Sequence, residues 1–329
     1  MKALITGGAG FIGSHLTDHL VERGTNVVIL DDLSTGRMQN LEQVMTGPHQ
    51  NAVDFVMGSI TDSELVHGLA EGVDVVFHLA AAVGVFTIQH HTLESMRTNL
   101  HGTEVVLDAA HRAGARLLMA STSEVYGKNT TIGLREDDDR VIGSPLKSRW
   151  SYAEAKAIDE TLTHQYALHR GLKAVIVRLF NTAGPRQTGR YGMVLPRFVK
   201  QALAGEPLTV YGTGEQTRCF GHVDDVVPAI VTLIDTPSAY AQVFNIGNPE
   251  QISINDLARR IIDRTGSSSV IAHVAYEDAY GMGYEDMQRR VPNCDRALER
   301  IGYQPARNLD DIIDAVVAYE SDQLSDVAA

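Results

Sequence analysis

The sequence predicts an α/β protein: a doubly wound parallel sheet carrying a smaller C-terminal α/β lobe. Two observations predict it. Short apolar, β-branched runs alternate with stretches of helical periodicity through the first half of the chain, and the texture turns irregular after Phe180. Strands alternating with helices imply βαβ crossovers, hence a parallel sheet covered on both faces.

Lys2–Thr6 is a short apolar run that stops at glycines, and 16–23 then has apolar residues at helical spacing. The run 26–30 is β-branched and ends at Asp31. Further buried strands are predicted at 73–79, 117–120 and 174–180, with helices at 102–113 and 152–168 between them. Beyond Phe180, glycines and arginines crowd 181–192. A short helix is predicted over 195–204, a strand and turn over 206–213, and a final helix over 309–319 with a frayed tail at 321–329. A helix at 253–265 opens with Ser253 and has Asp256 three residues on, a variant of the capping box. The expected division is a sheet domain at 1–180, with 219–247 returning to it, and a lobe made of 181–218 and 248–329. A chain of 329 residues fits about two such domains.

Composition narrows the class of function. Hydrophobic residues at 44% and charged residues at 21% allow a large core without staples. Net charge −13 argues against nucleic acid or an anionic membrane as partner, since both need a broad basic surface. Two cysteines, Cys219 and Cys294, form neither a disulfide framework nor a zinc spacing, so a reducing cytoplasmic setting is expected. No signal peptide or long apolar span is expected. The paired His90 and His91 read as a solvated loop and not as a metal site.

Gly7, Gly10 and Gly13 form a Gly-x-x-Gly-x-x-Gly loop between a strand and a helix. Such a loop lets the backbone approach a pyrophosphate, and the helix start offers free N–H groups and a positive dipole end. The next strand ends in an acid, Asp31, roughly 20 residues on, as a dinucleotide site requires. Asp31 can accept hydrogen bonds from both adenosine ribose hydroxyls and would repel a 2′-phosphate, which favours NAD over NADP. The plainer alternative is a glycine-rich turn that only starts a helix.

Tyr152 and Lys156 stand four apart in a helical stretch and share a face. A phenol near pKa 10 is a poor base at neutrality, and an adjacent ammonium favours phenolate. Tyrosinate could then take a proton from a sugar hydroxyl as hydride leaves. Ser121, Thr122 and Ser123 end a strand about 30 residues upstream, where a hydroxyl could bond the reacting oxygen.

With these elements in this order the sequence resembles the extended short-chain dehydrogenase/reductase family of sugar-nucleotide epimerases, dehydratases and decarboxylases. The likeness covers nearly the whole chain. It rests on the glycine loop, Asp31, His78-Leu79-Ala80-Ala81, Asn99, residues 121–127, Tyr152, Lys156, Asn181, Gly184-Pro185-Arg186 and Tyr211-Gly212. It implies a Rossmann domain with a C-terminal substrate lobe, tightly bound NAD that is reduced and reoxidised in each cycle, and a homodimer through a four-helix bundle of 99–113 and 152–168. Cofactor contacts are implied for Gly7, Gly10, Phe11, Ile12, Gly13, Asp31, Asp32, Ser34, Gly36, Ser59, Ile60, Leu79, Ala80, Ala81, Asn99, Ser121, Tyr152 and Lys156. Substrate contacts are implied for Val83, Thr122, Asn181, Arg186, Val194, Leu195, Arg197, Tyr211, Arg218 and Arg290. Of these, Arg186, Arg218 and Arg290 are placed for diphosphate or sugar, Asn181 for the diphosphate, and Tyr211 with Val194 and Leu195 for the nucleobase.

Within the family the segment Ser121-Thr122-Ser123-Glu124-Val125-Tyr126-Gly127 is similar to that of UDP-glucuronate decarboxylases, as is Lys147-Ser148-Arg149-Trp150. Plain 4-epimerases usually lack the glutamate, and 4,6-dehydratases carry aspartate where this chain has Ser123. Cys219 replaces the aspartate of typical epimerases, while the loop 82–86 departs from the decarboxylase pattern. The chemistry of Glu124 agrees: oxidising carbon-4 of a glucuronate gives a β-keto acid that loses carbon dioxide through an enolate, and Glu124 could manage a water or proton at carbon-5. The expected function is UDP-glucuronate decarboxylation. A UDP-sugar 4-epimerase, a dehydratase using Glu124, and a non-catalytic dinucleotide sensor stand as alternatives.

Overall fold

The computed structural model describes residues 1–84, 88, 90–189, 192–280 and 285–328 of the chain. Six strands of the first half, β1 (Lys2–Thr6), β2 (Asn26–Asp31), β3 (Val53–Met57), β4 (Val75–His78), β5 (Arg116–Thr122) and β6 (Ala174–Leu179), join a later strand, Gln242–Ile246, in one sheet. The order is Gln242–Ile246, β6, β5, β4, β1, β2, β3, and every pairing is parallel. This is the doubly wound order. It reverses between β1 and β4, and there a crevice opens outside the carboxyl ends of the strands. The fold is thus the Rossmann type with a smaller α/β lobe.

The central strands are apolar on both sides because helices cover both faces. One face packs the helices Phe11–Glu22, Val223–Ile234 and Asp295–Ile301 around Leu16, Ile29, Phe77, Ile230 and Phe244. The other packs Ser63–Ala70 and Thr92–Ala113 around Leu4, Val66, Val106, Leu117 and Ile176. The lobe has its own core, formed by Leu195 and Phe198 of the helix Val194–Leu203, Leu257 and Ile261 of Ile254–Thr265, and Ile312 and Ile313 of Leu309–Ala328. Ser253 caps Ile254–Thr265 by accepting the Asp256 N–H at 3.0 Å, as its sequence predicts.

Two differences from the sequence reading have physical reasons. The last helix does not fray at 321 but runs to Ala328. Its extension is tethered by polar contacts from other elements, Lys200 to Glu320 at 3.3 Å and Gln39 to Gln323 at 2.5 Å, which no periodicity reveals. The edge strand Val53–Met57 escapes a reading based on buried apolar runs because it includes Asp54 and is only partly covered. Among the described residues no helix is long and apolar enough to cross a membrane.

A buried polar cluster ties the sheet to the helix Ser151–Arg170. Arg178 on β6 donates from Nε and Nη2 to the two carboxylate oxygens of Glu160 at 2.9 and 2.7 Å. Its Nη1 donates to the Tyr126 hydroxyl and the Glu136 carbonyl, both at 2.9 Å. The Ser121 hydroxyl, at the end of β5, donates to Glu160. Such a pair is costly to break from one side, because the other charge stays buried. Arg178→Met should therefore lower unfolding free energy by about 3–5 kcal/mol. Urea denaturation followed by circular dichroism measures it, and a loss under about 1 kcal/mol would place this pair with ordinary surface bridges.

Candidate active site

The glycine loop leaves β1 at the sheet's reversal point. Gly7 has φ +76°, and a Cβ there would lie 2.7 Å from the Ala80 nitrogen that follows β4. A Cβ on Gly13 would lie 2.2 Å from the Gly7 carbonyl oxygen, so the loop closes on itself only with glycine. Gly10 caps the helix Phe11–Glu22, whose first turn holds no acid. This is a cradle for an anion at a helix start. Asp31, at the end of β2, is buried and accepts the Ala9 N–H at 3.0 Å and the Leu33 N–H at 2.8 Å. Burial, only partly offset by these bonds, pushes its carboxyl above the ordinary value. The residues present therefore fit a dinucleotide.

One cavity of about 620 Å³ gathers most of the residues picked out by sequence. Its wall includes Gly7, Gly10, Phe11, Ile12, Gly13, Asp31, Asp32, Ser34, Ile60, Leu79, Ala80 and Ala81. It continues over Ser121, Thr122, Ser123, Glu124, Tyr152 and Lys156, and over Val83, Asn181, Arg186, Val194, Leu195, Arg197, Tyr211, Arg218 and Arg290. Gly36, Ser59 and Asn99 are not on this wall. Gly36 leaves room for Asp31, whose Oδ1 would be 2.9 Å from a Cβ there. Ser59 shares a hydrogen bond with Thr61. Asn99 bonds the Ala82 N–H at 2.7 Å and its carbonyl at 3.2 Å, shaping the loop beside the cavity. Within the segments 82–86 and 181–192, residues 85, 86, 190 and 191 lie outside the described residues, as does Gln89 beside the exposed His90 and His91.

Tyr152 and Lys156 reach the cavity from the first turns of Ser151–Arg170. Burial pushes the Tyr152 phenol above its ordinary value, and the charges of Glu124 and Asp159 push the same way. The lowering expected from sequence is absent in the protein alone. Lys156 Nζ lies 3.4 Å from the Asp159 carboxylate, so its charge is shared. Thr122 Oγ1 accepts the Glu124 N–H at 3.2 Å, ordering the strand end while also facing the cavity.

Glu124 is the centre of an ion network that sequence reading only half foresaw. Arg149 Nη1 donates to it at 2.7 Å, and Arg290 Nη1 stands 3.7 Å away. Burial alone would raise its carboxyl, but the Arg149 and Arg290 charges hold it below the ordinary range. Asp286 lies 3.7 Å from Arg149 and accepts from Arg218 at 2.7 Å. Arg290 also donates to Ser123 Oγ at 3.1 Å and Asn181 Oδ1 at 3.2 Å, and burial pushes its guanidinium down to about 10. Arg186 is paired with Asp18 at 2.7 Å. Arg197 stacks 4.1 Å from the Tyr211 ring centre, and its buried Nε and Nη1 have no hydrogen-bond partner among the described residues.

Arg149 and Asp286 line the cavity but were not among the site residues expected from sequence. The signal for Arg149 was available, since it lies in the segment 147–150 flagged by resemblance. Asp286 gave none, because its partners are distant in sequence.

The fold and the cavity define a dinucleotide-binding enzyme class, and comparison with known proteins places the chain within it. The model of the NAD dependent epimerase/dehydratase family matches residues 3–247. The chain belongs to that family and is an NAD-dependent sugar-nucleotide enzyme. It is 44% identical over 305 residues to a UDP-N-acetyl-alpha-D-glucosaminuronate decarboxylase of Bacillus cytotoxicus, covering 92% of each chain. It is 36% identical to UDP-glucuronic acid decarboxylase 1 of Xenopus tropicalis, covering 97% of this chain and 72% of the relative. Among solved structures it resembles UDP-glucuronic acid 4-epimerase from Bacillus cereus in complex with UDP-glucuronic acid and NAD. There the TM-score is 0.87 at 29% identity, over 98% of this chain and 100% of that one.

Asp31→Ala should weaken NAD binding by about 1.5–3 kcal/mol, the range for hydrogen bonds to a charged group. It should also narrow the preference over NADP. Calorimetric titration of both cofactors checks this, and equal affinity for the two in the parent protein would remove Asp31 from that role.

Proposed function

We propose that this enzyme is a UDP-hexuronate decarboxylase of the UDP-glucuronate type, working through transient oxidation at carbon-4. The observation that carries the reading is Glu124, held ionised by Arg149 and Arg290 in the cavity wall that also holds Thr122 and Tyr152. Both named relatives above that are decarboxylases act on hexuronates by their names, and this supports the choice.

NAD, when bound against the glycine loop and Asp31, supplies the temporary hydride acceptor. Tyr152, as phenolate, takes the proton of the carbon-4 hydroxyl, and Lys156 favours that ionisation. Once carbon-4 is a ketone, the bond between carbon-5 and the carboxylate breaks and its electrons move to the carbon-4 oxygen. Tyr152 and Thr122 stabilise that enolate oxygen by hydrogen bonds. Glu124, fixed as a carboxylate, cannot itself donate the proton that carbon-5 then needs. It orients the water that does. With carbon dioxide gone, the carbon-4 ketone would take back the hydride while Tyr152 returns the proton to its oxygen, so that no net oxidation remains. The guanidinium groups of Arg218 and Arg290 face the anionic diphosphate, and the stacked Arg197–Tyr211 pair faces the nucleobase. These arginines give a chain of net charge −13 a local site for an anion.

A homodimer is proposed on the faces of Thr92–Ala113 and Ser151–Arg170, where Leu93, Ile158 and Leu168 are exposed. The two free cysteines suit a reducing, cytoplasmic setting.

The alternative, 4-epimerisation, draws on the likeness to a solved 4-epimerase that bears UDP-glucuronic acid. Product masses from a panel of UDP-sugars, UDP-glucuronate and its 2-acetamido analogue included, separate the readings: about 44 units lost is decarboxylation, about 18 dehydration, and an unchanged mass with a new isomer epimerisation. Tyr152→Phe should lower turnover by about 10²–10⁴-fold without loss of bound cofactor. Glu124→Gln should give a burst of NADH absorbance with little decarboxylated product. Unchanged decarboxylation in that variant would sink the role of Glu124.

A further inference from the structure

The lysine of the catalytic pair has an acid at its back that the reaction above leaves unused. Asp159 follows Lys156 by three residues on the same helix. The two are 0% and 2% exposed. Lys156 Nζ is 3.4 Å from Asp159 Oδ2, yet neither carboxylate oxygen makes a well-formed hydrogen bond among the described residues. A carboxylate with so little satisfaction is among the costliest groups to bury. Packing alone would be met by an alanine or leucine.

The groups around it are identifiable on every side. On its own helix, Glu160 is taken up by Arg178 and Ser121. On the facing helix Thr92–Ala113, the Thr103 hydroxyl turns toward Asp159. Behind Thr103, His78 of β4 places Nε2 3.0 Å from the Thr103 hydroxyl and Nδ1 2.8 Å from that of Thr6. Burial and the Lys156 charge push His78 down to about 3, so it is neutral. Burial, against the charge of Lys156, pushes the Asp159 carboxyl up. Toward the cavity, Tyr152 feels the negative charges of Glu124 and Asp159. Asp159 thus pairs with Lys156 while its own negative charge bears on Tyr152, which precedes it on the same helix.

We propose that Asp159 is a positioning residue that holds the Lys156 ammonium and sets the pH at which Tyr152 becomes a base. This rests on Tyr152 and Lys156 being the hydride-transfer pair, and not on which sugar product is formed. The sign follows from charge alone: a negative charge near a phenol opposes its ionisation, so removing it favours phenolate at lower pH. One charge several ångströms away in a protein interior moves a titration by about one pH unit or more.

The test uses the NAD-bound enzyme carrying isotope-labelled tyrosine. The Cζ resonance of Tyr152, assigned by its loss in Tyr152→Phe, reports phenol ionisation directly. Asp159→Asn keeps the shape and removes the charge; it should move the Tyr152 midpoint down by about one pH unit. The acid limb of single-turnover NADH formation should move by the same amount. Asp159→Glu should restore the parental midpoint, and Asp159→Ala repeats the measurement should the amide variant fail to fold. A parental or raised midpoint in the charge-removed protein, or lost activity with an unmoved acid limb, would overturn the proposal. An epimer in the product assay would remove the decarboxylase reading while leaving the Tyr152 titration to decide this one.

Discussion

Arg178 joins parts of the chain that a parallel sheet would otherwise leave independent. Its fork holds Glu160 on the helix Ser151–Arg170, while its third nitrogen holds Tyr126 and the Glu136 carbonyl. Glu136 then accepts the Asn245 N–H from the last strand of the sheet at 2.8 Å, and Tyr126 donates to the Asn245 side chain at 2.7 Å. One buried guanidinium thereby fixes the helix bearing Tyr152 and Lys156 against the strand end bearing Thr122 and Glu124. Parallel strands place these groups at one edge of the sheet, and this cluster, with the packing of the helix Ser151–Arg170 on Thr92–Ala113, holds that helix in place.

The same logic governs the charges that face the cavity. A net acidic protein binds an anion by gathering arginines, and unpaired buried arginines are costly. Arg149, Arg218 and Arg290 are instead held by Glu124 and Asp286, which come from the end of β5 and from the lobe. All five side chains line the cavity, and the network joins the lobe to the Rossmann domain. Lys147 and Trp150 add to that join by bonding Glu285.

Local signals made much of this legible. The glycine loop, Asp31 and the Tyr152/Lys156 spacing carry their meaning within one turn or one strand, so they read directly from the chain. The resemblance added Arg186, Arg218 and Arg290 as cavity residues. Illegible were contacts whose partners are remote: Asp286 with Arg149 and Arg218, Glu160 with Arg178, and the tethers at Glu320 and Gln323. Lys156 was read as the charge that lowers Tyr152, yet its nearest partner is Asp159 and burial acts the other way on the phenol. That reversal depends on solvent exclusion, a property of the packed helix and not of the spacing.

By itself, then, the sequence determined the α/β class, the glycine cradle, the buried acid at the end of β2 and the Tyr152/Lys156 pair that reaches the cavity. Each depends on residue type and short-range spacing. The tertiary structure alone decided which strand sits beside which, and that Glu124 is an anchored carboxylate and not a free acid. Those outcomes depend on burial and on charges brought together from distant parts of the chain, and neither has a local sequence signature.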